Sequence, residues 1–530
     1  MKKILVLIPL VAAIAMAQEH PGAVRHELDR VDAVVSSKSG APFQATWSSL
    51  AGYRTPEWFR DAKFGIFVHW GVYSVPAFGN EWYPRNMYLK GSPEFEHHRA
   101  VYGMQDKFGY KDFIPQFTAD HFDADAWASL FQEAGARYVV EVAEHCDGFP
   151  MYASAMTDWN AAKMGPKRDV VSEVAKAVRG HGLHFGVSSH RAEHWWWYNG
   201  GMHFPSDVQD SRYAGIYGPA QPVALPGQEA GGDSNSYPDP VHLERWLPPS
   251  KEFLDDWLAR SAELVDKYHP ELIYLDWWIN QPSFAPYLQK LAAYYYDESQ
   301  KAGVGPVLTY KEYAMPENAA MLDIERGKLD QLRLVPWQSD TSVSIKSWGY
   351  VSGDHYRTAR SLIGDLVDIV SKNGNLLLNV GPRADGTIPD EARTVLLQIG
   401  AWLKVNGEAI YGTRPWKFFG EGTTKIASGS MQENTGEPFT NADIRFTAHG
   451  ETLYAIALGR PEENSFVIHN LYKGTPYLSA PVAEVTLLGA AAPVKWEQGE
   501  HGLAIHLPAG AAEEAAYVFR IRYAGADGAR

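Results

Sequence analysis

Glu271-Leu-Ile-Tyr-Leu-Asp-Trp-Trp-Ile-Asn280 is the stretch whose reading decides the fold. Its first half is apolar or aromatic, too short for a helix, and entered from Tyr268-His269-Pro270. Such a run reads as a strand buried on both faces, as in a parallel sheet. Asp276 stands where the strand runs out, and two tryptophans follow it. A charge there is costly unless something binds or pairs it. In a barrel of parallel strands the C-terminal strand ends carry catalytic groups, whereas an Asp after a strand elsewhere is often a turn or cap.

The surrounding chain repeats one pattern of helix, short stop, apolar strand and polar cluster. A strand over 64–68 ends at His69, with Asn80-Glu81-Trp82-Tyr83 in the loop beyond. A helix capped by Asp123 and stopped at Gly135 precedes a strand over 137–143, which ends in Glu144-His145-Cys146-Asp147. A helix over 170–179 leads to a strand over 183–187 and then Ser188-Ser-His-Arg-Ala-Glu-His194 and Trp195-Trp-Trp-Tyr198. A helix over 251–267 precedes the 272–275 strand, and a helix over 285–301 precedes a strand over 306–310 that ends at Lys311. A further buried strand over 372–380 and a helix over 389–406 follow. This grammar predicts an α/β fold, a (β/α)8-like (TIM-type) catalytic barrel, with the strand-end residues on one face. The Gly-, Pro- and Ser-rich stretch 199–247 reads as a lid or rim. The stretch 336–344, aromatic and hydroxyl-rich without a helical or strand period, reads as a loop.

At 530 residues the chain is too long for one core. Beyond about residue 415, short alternating runs separated by Gly, Asn and Pro turns predict an antiparallel β-sandwich over 416–530. It holds no cluster of carboxylates or histidines, which suits a supporting or glycan-contacting role. At the other end, Lys2 and Lys3, an apolar run to Ala15 and Ala15-Met16-Ala17 read as a signal peptide over 1–17. The barrel domain with a polar leader then occupies 18–415, and the expected destination is periplasmic or secreted. The formal charge of −15 argues against nucleic acid or an anionic membrane as partner. The one cysteine, Cys146, rules out an internal disulfide framework. A homo-oligomer is compatible with all of this.

Hydrolysis of a glycosidic bond needs two carboxyl groups flanking the anomeric carbon. Asp276 is one candidate. Asp323-Ile-Glu-Arg-Gly327 supplies Glu325 as the other, with Asp340 its rival. The histidines lack the His-x-x-x-His spacing of a metal site, so no metal or cofactor is expected. Imidazoles at strand ends suit hydrogen bonding to sugar hydroxyls, since they both donate and accept.

These residues also carry a resemblance. Trp58-Phe-Arg-Asp-Ala-Lys-Phe-Gly-Ile-Phe-Val-His-Trp-Gly-Val-Tyr-Ser-Val-Pro76, Asn80-Glu-Trp-Tyr83, His145-x-Asp-Gly-Phe149, Ser347-Trp-Gly-Tyr350 and Asn406-Gly-Glu-Ala-Ile-Tyr-Gly-Thr413 resemble the α-L-fucosidases of glycoside hydrolase family 29. The resemblance runs from about residue 45 to the end of the chain. It implies a catalytic barrel with a C-terminal β-sandwich, a fucosylated glycan as substrate, and retaining double displacement. It places the nucleophile on Asp276 and the acid/base on Glu325, which implies carboxyls roughly 5–5.5 Å apart. It places sugar contacts on His69, Glu81, Trp82, His145 and Trp348, and His190, Tyr274 and Lys311 join them as substrate-binding candidates. Three departures stand out. Cys146 replaces a second His, a loss that Glu144 could cover; Lys311 replaces an Arg; and Gln338 replaces a Glu that would have been a further acid/base rival.

Two other functions fit the same residues: a catalytically inactive glycan-binding barrel, and an exo-glycosidase for another sugar such as an α-galactoside. Linkage specificity is expected to lie with 193–197, 199–247 and 312–346.

Overall fold

The eight parallel strands close into a barrel in chain order. They are β1 (Phe64–Val68), β2 (Tyr138–Glu144), β3 (His184–Ser189), β4 (Leu272–Leu275), β5 (Val307–Lys311), β6 (Met321–Glu325), β7 (Trp337–Ser342) and β8 (Gly374–Val380). This computed structural model describes residues 18–36, 42–228, 243–433, 437–461, 463–508 and 514–523. The expected leader peptide and the middle of the 199–247 excursion lie outside the described residues.

The principal helices are α1 (Pro21–Val35), α2 (Ala124–Glu133), α3 (Val170–Gly180), α4 (Lys251–Tyr268), α5 (Ala285–Lys301), α6 (Ala359–Ser371) and α7 (Asp390–Asn406). Their starts follow ordinary capping chemistry: Asp123, Asp169, Ser250 and Thr358 each accept a backbone N–H of the first turn. The polar leader contains helix α1, which lies on α4 and α5 and is pinned by Arg30–Asp266 at 2.6 Å and Lys290–Asp32 at 2.7 Å.

Two features depart from the repeating pattern. The 336–344 stretch, expected as a loop, contains β7, buried along its whole length. Its polar side chains turn into the barrel and pair there. Gln338 donates to Asp323 at 2.7 Å and accepts from Tyr138 at 3.0 Å, while Asp340 accepts from Tyr274 at 2.7 Å. In addition, no helix separates β5 from β6 or β6 from β7.

The C-terminal region forms two antiparallel sheets. Its strands are β9 (Arg414–Glu421), β10 (Ile444–His449), β11 (Thr452–Ala457), β12 (Ser465–Ile468), β13 (Val482–Leu487), β14 (Lys495–Gly499), β15 (Gly502–His506) and β16 (Tyr517–Tyr523). The sheet orders are 13-16-11-10-9 and 12-15-14, with Phe446, Ile468, Leu503 and Phe519 in the core between them. The larger sheet packs on α6 through a buried ionic triad. Asp368 accepts from Lys372 at 2.7 Å and from Arg445 of β10 at 2.6 Å. Burial pushes the Asp368 carboxyl up, but Lys372, Arg445 and Lys328 outweigh it and hold it below the usual carboxylate value.

Removing one member of a buried ion cluster leaves unpaired charge in a poorly polarisable site. Asp368→Ala should therefore lower the unfolding free energy by about 3–5 kcal/mol, measured by urea denaturation. A curve superimposable on wild type would show that the triad holds nothing together.

Candidate active site

Asp276 stands at the mouth of the barrel because β4 runs straight into it, its N–H still bonded to the Ser189 carbonyl at 3.3 Å. The carboxylate is 13% exposed and lines a pocket of about 490 Å3. Oδ2 lies 2.7 Å from Nδ1 of His190, whose Nε2 lies 2.9 Å from the buried Ser188 hydroxyl. The ring is thus clamped from both nitrogens. Burial raises the Asp276 carboxyl, but the charge and hydrogen bond of His190 and the ammonium of Lys311 outweigh it, and the net shift is downward.

Glu325 ends β6 in the same pocket and is 6% exposed. The indole N–H of Trp277 donates to its Oε2, and the Lys311 ammonium lies 3.2 Å from the same oxygen. Burial raises this carboxyl to about 7 against the pull of Lys311, with the charges of Asp340 and Asp276 adding to the rise. Asp340 is deeper, 1% exposed, and burial drives its carboxyl well above the usual value.

Lys311 does not take the place expected of it. Rather than facing a sugar hydroxyl, its ammonium is 2% exposed and sits beneath the pocket among Asp323 at 2.6 Å, Glu325 at 3.2 Å and Asp340 at 3.4 Å. A buried cation goes where the carboxylates are. Tyr274 is likewise turned inward. Its hydroxyl is committed to Asp340, and its ring forms part of the floor against Phe67 and His190.

His69, Glu81, Trp82, His145, Cys146, His190 and Trp348 all line the pocket. The Asn379 amide donates to Ser342 at 3.0 Å and to the Trp348 carbonyl at 2.7 Å, so its oxygen accepts from Nδ1 of His69 at 2.8 Å. That fixes the tautomer and leaves Nε2 of His69 as an acceptor. Burial, then neighbouring imidazoles, pushes His69 and His145 well below 6.5, so both rings are neutral near pH 7. Glu81 orients the far wall, accepting from the Trp348 N–H at 2.8 Å and the Ser347 hydroxyl at 3.1 Å. Trp348 lies 5.1 Å from the His69 ring, with the Arg326 guanidinium over the indole, 4.5 Å from its centroid.

Cys146 is 1% exposed, and its thiol donates to Glu193 at 3.2 Å. Burial, with Glu193 and Asp276 adding to it, pushes the thiol up well above 9, so it stays protonated. Glu144, the expected substitute for a lost imidazole, is ion-paired with Arg191 and Arg260 behind the pocket. The second imidazole comes instead from His190, whose ring stacks on His145 at 4.8 Å. Ring nitrogens of His69, His145 and His190 lie within 4.8 Å of one another, a proximity that spacing along the chain does not reveal. Imidazoles suit a divalent cation such as zinc, but His190 already spends both ring nitrogens on Asp276 and Ser188.

Several groups of the site were read from sequence only as parts of the 193–197 and 199–247 stretches, or not at all. Asn379, behind His69, had a signal: with Asn375 it is one of two amides among the leucines of β8. Glu193 lines the pocket, and burial with the Asp276 charge raises its carboxyl to about 8. Trp246, at the end of the long excursion, packs on Trp278 at 5.8 Å and lines the pocket. Segment 428–433, beyond the barrel, left no trace at all. Met431 lines the pocket and donates its N–H to the Glu325 carbonyl at 2.7 Å, Ser430 accepts from the Glu325 N–H at 3.2 Å, and Glu433 pairs with Arg326 at 2.7 Å. The backbone is strained where these loops leave the barrel: Trp278, Glu312 and Arg326 have φ of 72°, 51° and 42°.

Comparison with known proteins gives one answer. The alpha-L-fucosidase family model matches residues 31–408, and the alpha-L-fucosidase C-terminal domain model matches 437–522. Plasma alpha-L-fucosidase of Homo sapiens is 32% identical over 485 residues, covering 89% of this chain and 89% of that protein. The Rattus norvegicus protein is also 32% identical, over 488 residues, covering 88% of this chain and 90% of its own. Thermotoga maritima alpha-fucosidase in complex with fucose superposes with a TM-score of 0.69 at 31% identity, over 90% of this chain and 99% of that one. The chain therefore belongs to the alpha-L-fucosidase family of glycoside hydrolases.

Proposed function

We propose that this protein removes terminal α-L-fucosyl residues from oligosaccharides or glycoconjugates by a retaining double displacement. The observation that carries the reading is the separation of two carboxyls within one pocket. Asp276 is held ionised by His190 and Lys311, while burial keeps Glu325 protonated up to about pH 7. Opposite shifts of this kind support Asp276 as nucleophile and Glu325 as acid.

Oδ2 of Asp276 is engaged by His190, so Oδ1 attacks the anomeric carbon as the bond to the leaving oxygen breaks. Oε2 of Glu325 is engaged by Trp277 and Lys311, so the proton passes from Oε1 to that oxygen. Glu325, now ionised, takes a proton from water, whose oxygen displaces Asp276 and restores the starting configuration. Neutral His69, with its Nε2 free to accept, and His145 contact the sugar hydroxyls. Trp348 offers an apolar wall to the C5 methyl, which favours fucose over a galactoside bearing CH2OH. The relatives' names and the fucose in the Thermotoga maritima structure support the same substrate and weigh against a binding-only protein. Export rests on the N-terminal pattern of 1–17.

Asp276→Ala should fold normally and lose about a thousandfold or more of its kcat on an aryl α-L-fucoside. Wild-type activity in that variant would sink the assignment. Proton NMR of the wild-type reaction should show α-L-fucose as the first-formed anomer; initial β-L-fucose would mean inversion. In a fucose-bound crystal the two carboxyls should lie about 5–5.5 Å apart.

The basic limb of kcat/KM should fall near pH 7, because activity is lost as Glu325 deprotonates. Glu325→Gln should abolish that limb and slow poor leaving groups much more than nitrophenolate. If Asp340→Asn or Glu193→Gln shows this split and Glu325→Gln does not, the acid/base is misassigned.

A further inference from the structure

The catalytic pocket does not end at its own rim. The loops after β4 and β5 enclose a second depression of about 630 Å3, and Asn280 and Glu312 line both spaces. On the crest between them the Asn280 amide donates to Glu312 at 3.4 Å, a long bond readily exchanged for one to a ligand. Glu312 is held there at a positive φ of 51°, a conformation unfavourable for a side chain with a Cβ. Such strain persists where the surrounding fold imposes it, and it concentrates at ligand sites.

Next to Glu312 stands Tyr313, 94% exposed, with Trp47 and the ion pair Arg333–Glu317 at 2.6 Å also on the lining. Aromatic faces beside hydrogen-bonding edges match a sugar ring, which has apolar faces and a hydroxyl perimeter. The depression also lies on the correct side. Glu325 ends β6, the strand paired with β5, so a leaving oxygen protonated by Glu325 points the rest of the glycan toward the loop after β5.

We propose that this depression is a leaving-group subsite for the sugar residues beyond the one that bears fucose. Tyr313 is its stacking platform, and Asn280 with Glu312 meets hydroxyls at the boundary. The proposal rests on the fucosidase reading and specifies the substrate as an oligosaccharide that extends past the fucosylated unit.

Tyr313→Ala tests it, since so exposed a side chain can be removed without disturbing the core. The comparison uses an aryl α-L-fucoside, then the fucosylated trisaccharide and pentasaccharide whose linkage the wild type cleaves fastest. The variant should keep aryl-fucoside kcat/KM within about twofold and lose about five- to tenfold on the pentasaccharide, mostly through KM, as suits one aromatic contact. The trisaccharide should fall less. Saturation-transfer NMR with lacto-N-tetraose, which carries no fucose, should show contacts to the wild type that the variant lacks. This arm reads the subsite without turnover, so inactivity of the wild type on aryl fucoside would overturn the fucosidase reading while binding still judged the depression. Equal losses on all three substrates, no loss on any, a wild type that cleaves only the aryl fucoside, or no lacto-N-tetraose contact would each overturn the subsite. So would dissociation of an oligomer by Tyr313→Ala with unchanged oligosaccharide kinetics, because the tyrosine would then serve an interface between copies.

Discussion

The ammonium of Lys311 is the interaction on which the site depends. It lies under the pocket against Asp323, Glu325 and Asp340, and its field also reaches Asp276. Carboxylates gathered at the ends of neighbouring strands in a poorly solvated space cannot all ionise, and a single cation cannot neutralise them all. The carboxyls divide instead. Asp276, with His190 bonded to it, takes the charge, while Asp340 and Glu325 are driven upward. That asymmetry suits the proposed roles of Asp276 as nucleophile and Glu325 as acid. An arginine would bind carboxylates as a fork; a lysine acts as a compact charge that can face three of them at once.

This also explains what could and could not be read from the sequence. Strands β1 to β5 and β8 were legible because both their faces are apolar, or nearly so, and Gly or Pro punctuates their ends. β7 was not legible. Its Gln338 and Asp340 are buried because they pair inside the barrel, and Trp-Gln-Ser-Asp-Thr-Ser carries neither period. The strand-end positions of Asp276 and His69 followed from the repeating pattern, whereas Glu325 was legible as the second carboxyl without a strand read over 321–325. The depth of Lys311 did not follow, because one strand-end residue looks like another until its neighbours in space are known.

Cys146 shows a related limit. Its position suggested a lost hydroxyl contact, with adjacent Glu144 as the substitute. Glu144 is the last residue of β2 and Cys146 lies two residues on, past the strand, where the alternation that puts i and i+2 on one face no longer holds. Glu144 points outward to Arg191 and Arg260, whereas His190 enters from the next strand, stacks on His145 and also orients Asp276. One imidazole therefore links the His145 ring to the charge state of Asp276, and Ser188 behind it fixes the ring.

The barrel also explains why the C-terminal region is more than a support. In a regular (β/α)8 barrel each strand end is braced by the helix that follows, but β5, β6 and β7 succeed one another without helices. The end of β6 carries Glu325, whose placement sets the protonation geometry, and the adjacent Arg326 has strained backbone. Segment 428–433 supplies the missing brace. It bonds both backbone groups of Glu325, and through Glu433 it holds the Arg326 guanidinium over Trp348. The sandwich beyond it is locked to α6 by Arg445 and Asp368. A displacement of the sandwich would therefore act on the acid/base and on the aromatic wall together. The C-terminal region is thus tied to the end of β6, where no following helix holds the carboxyl proposed as proton donor.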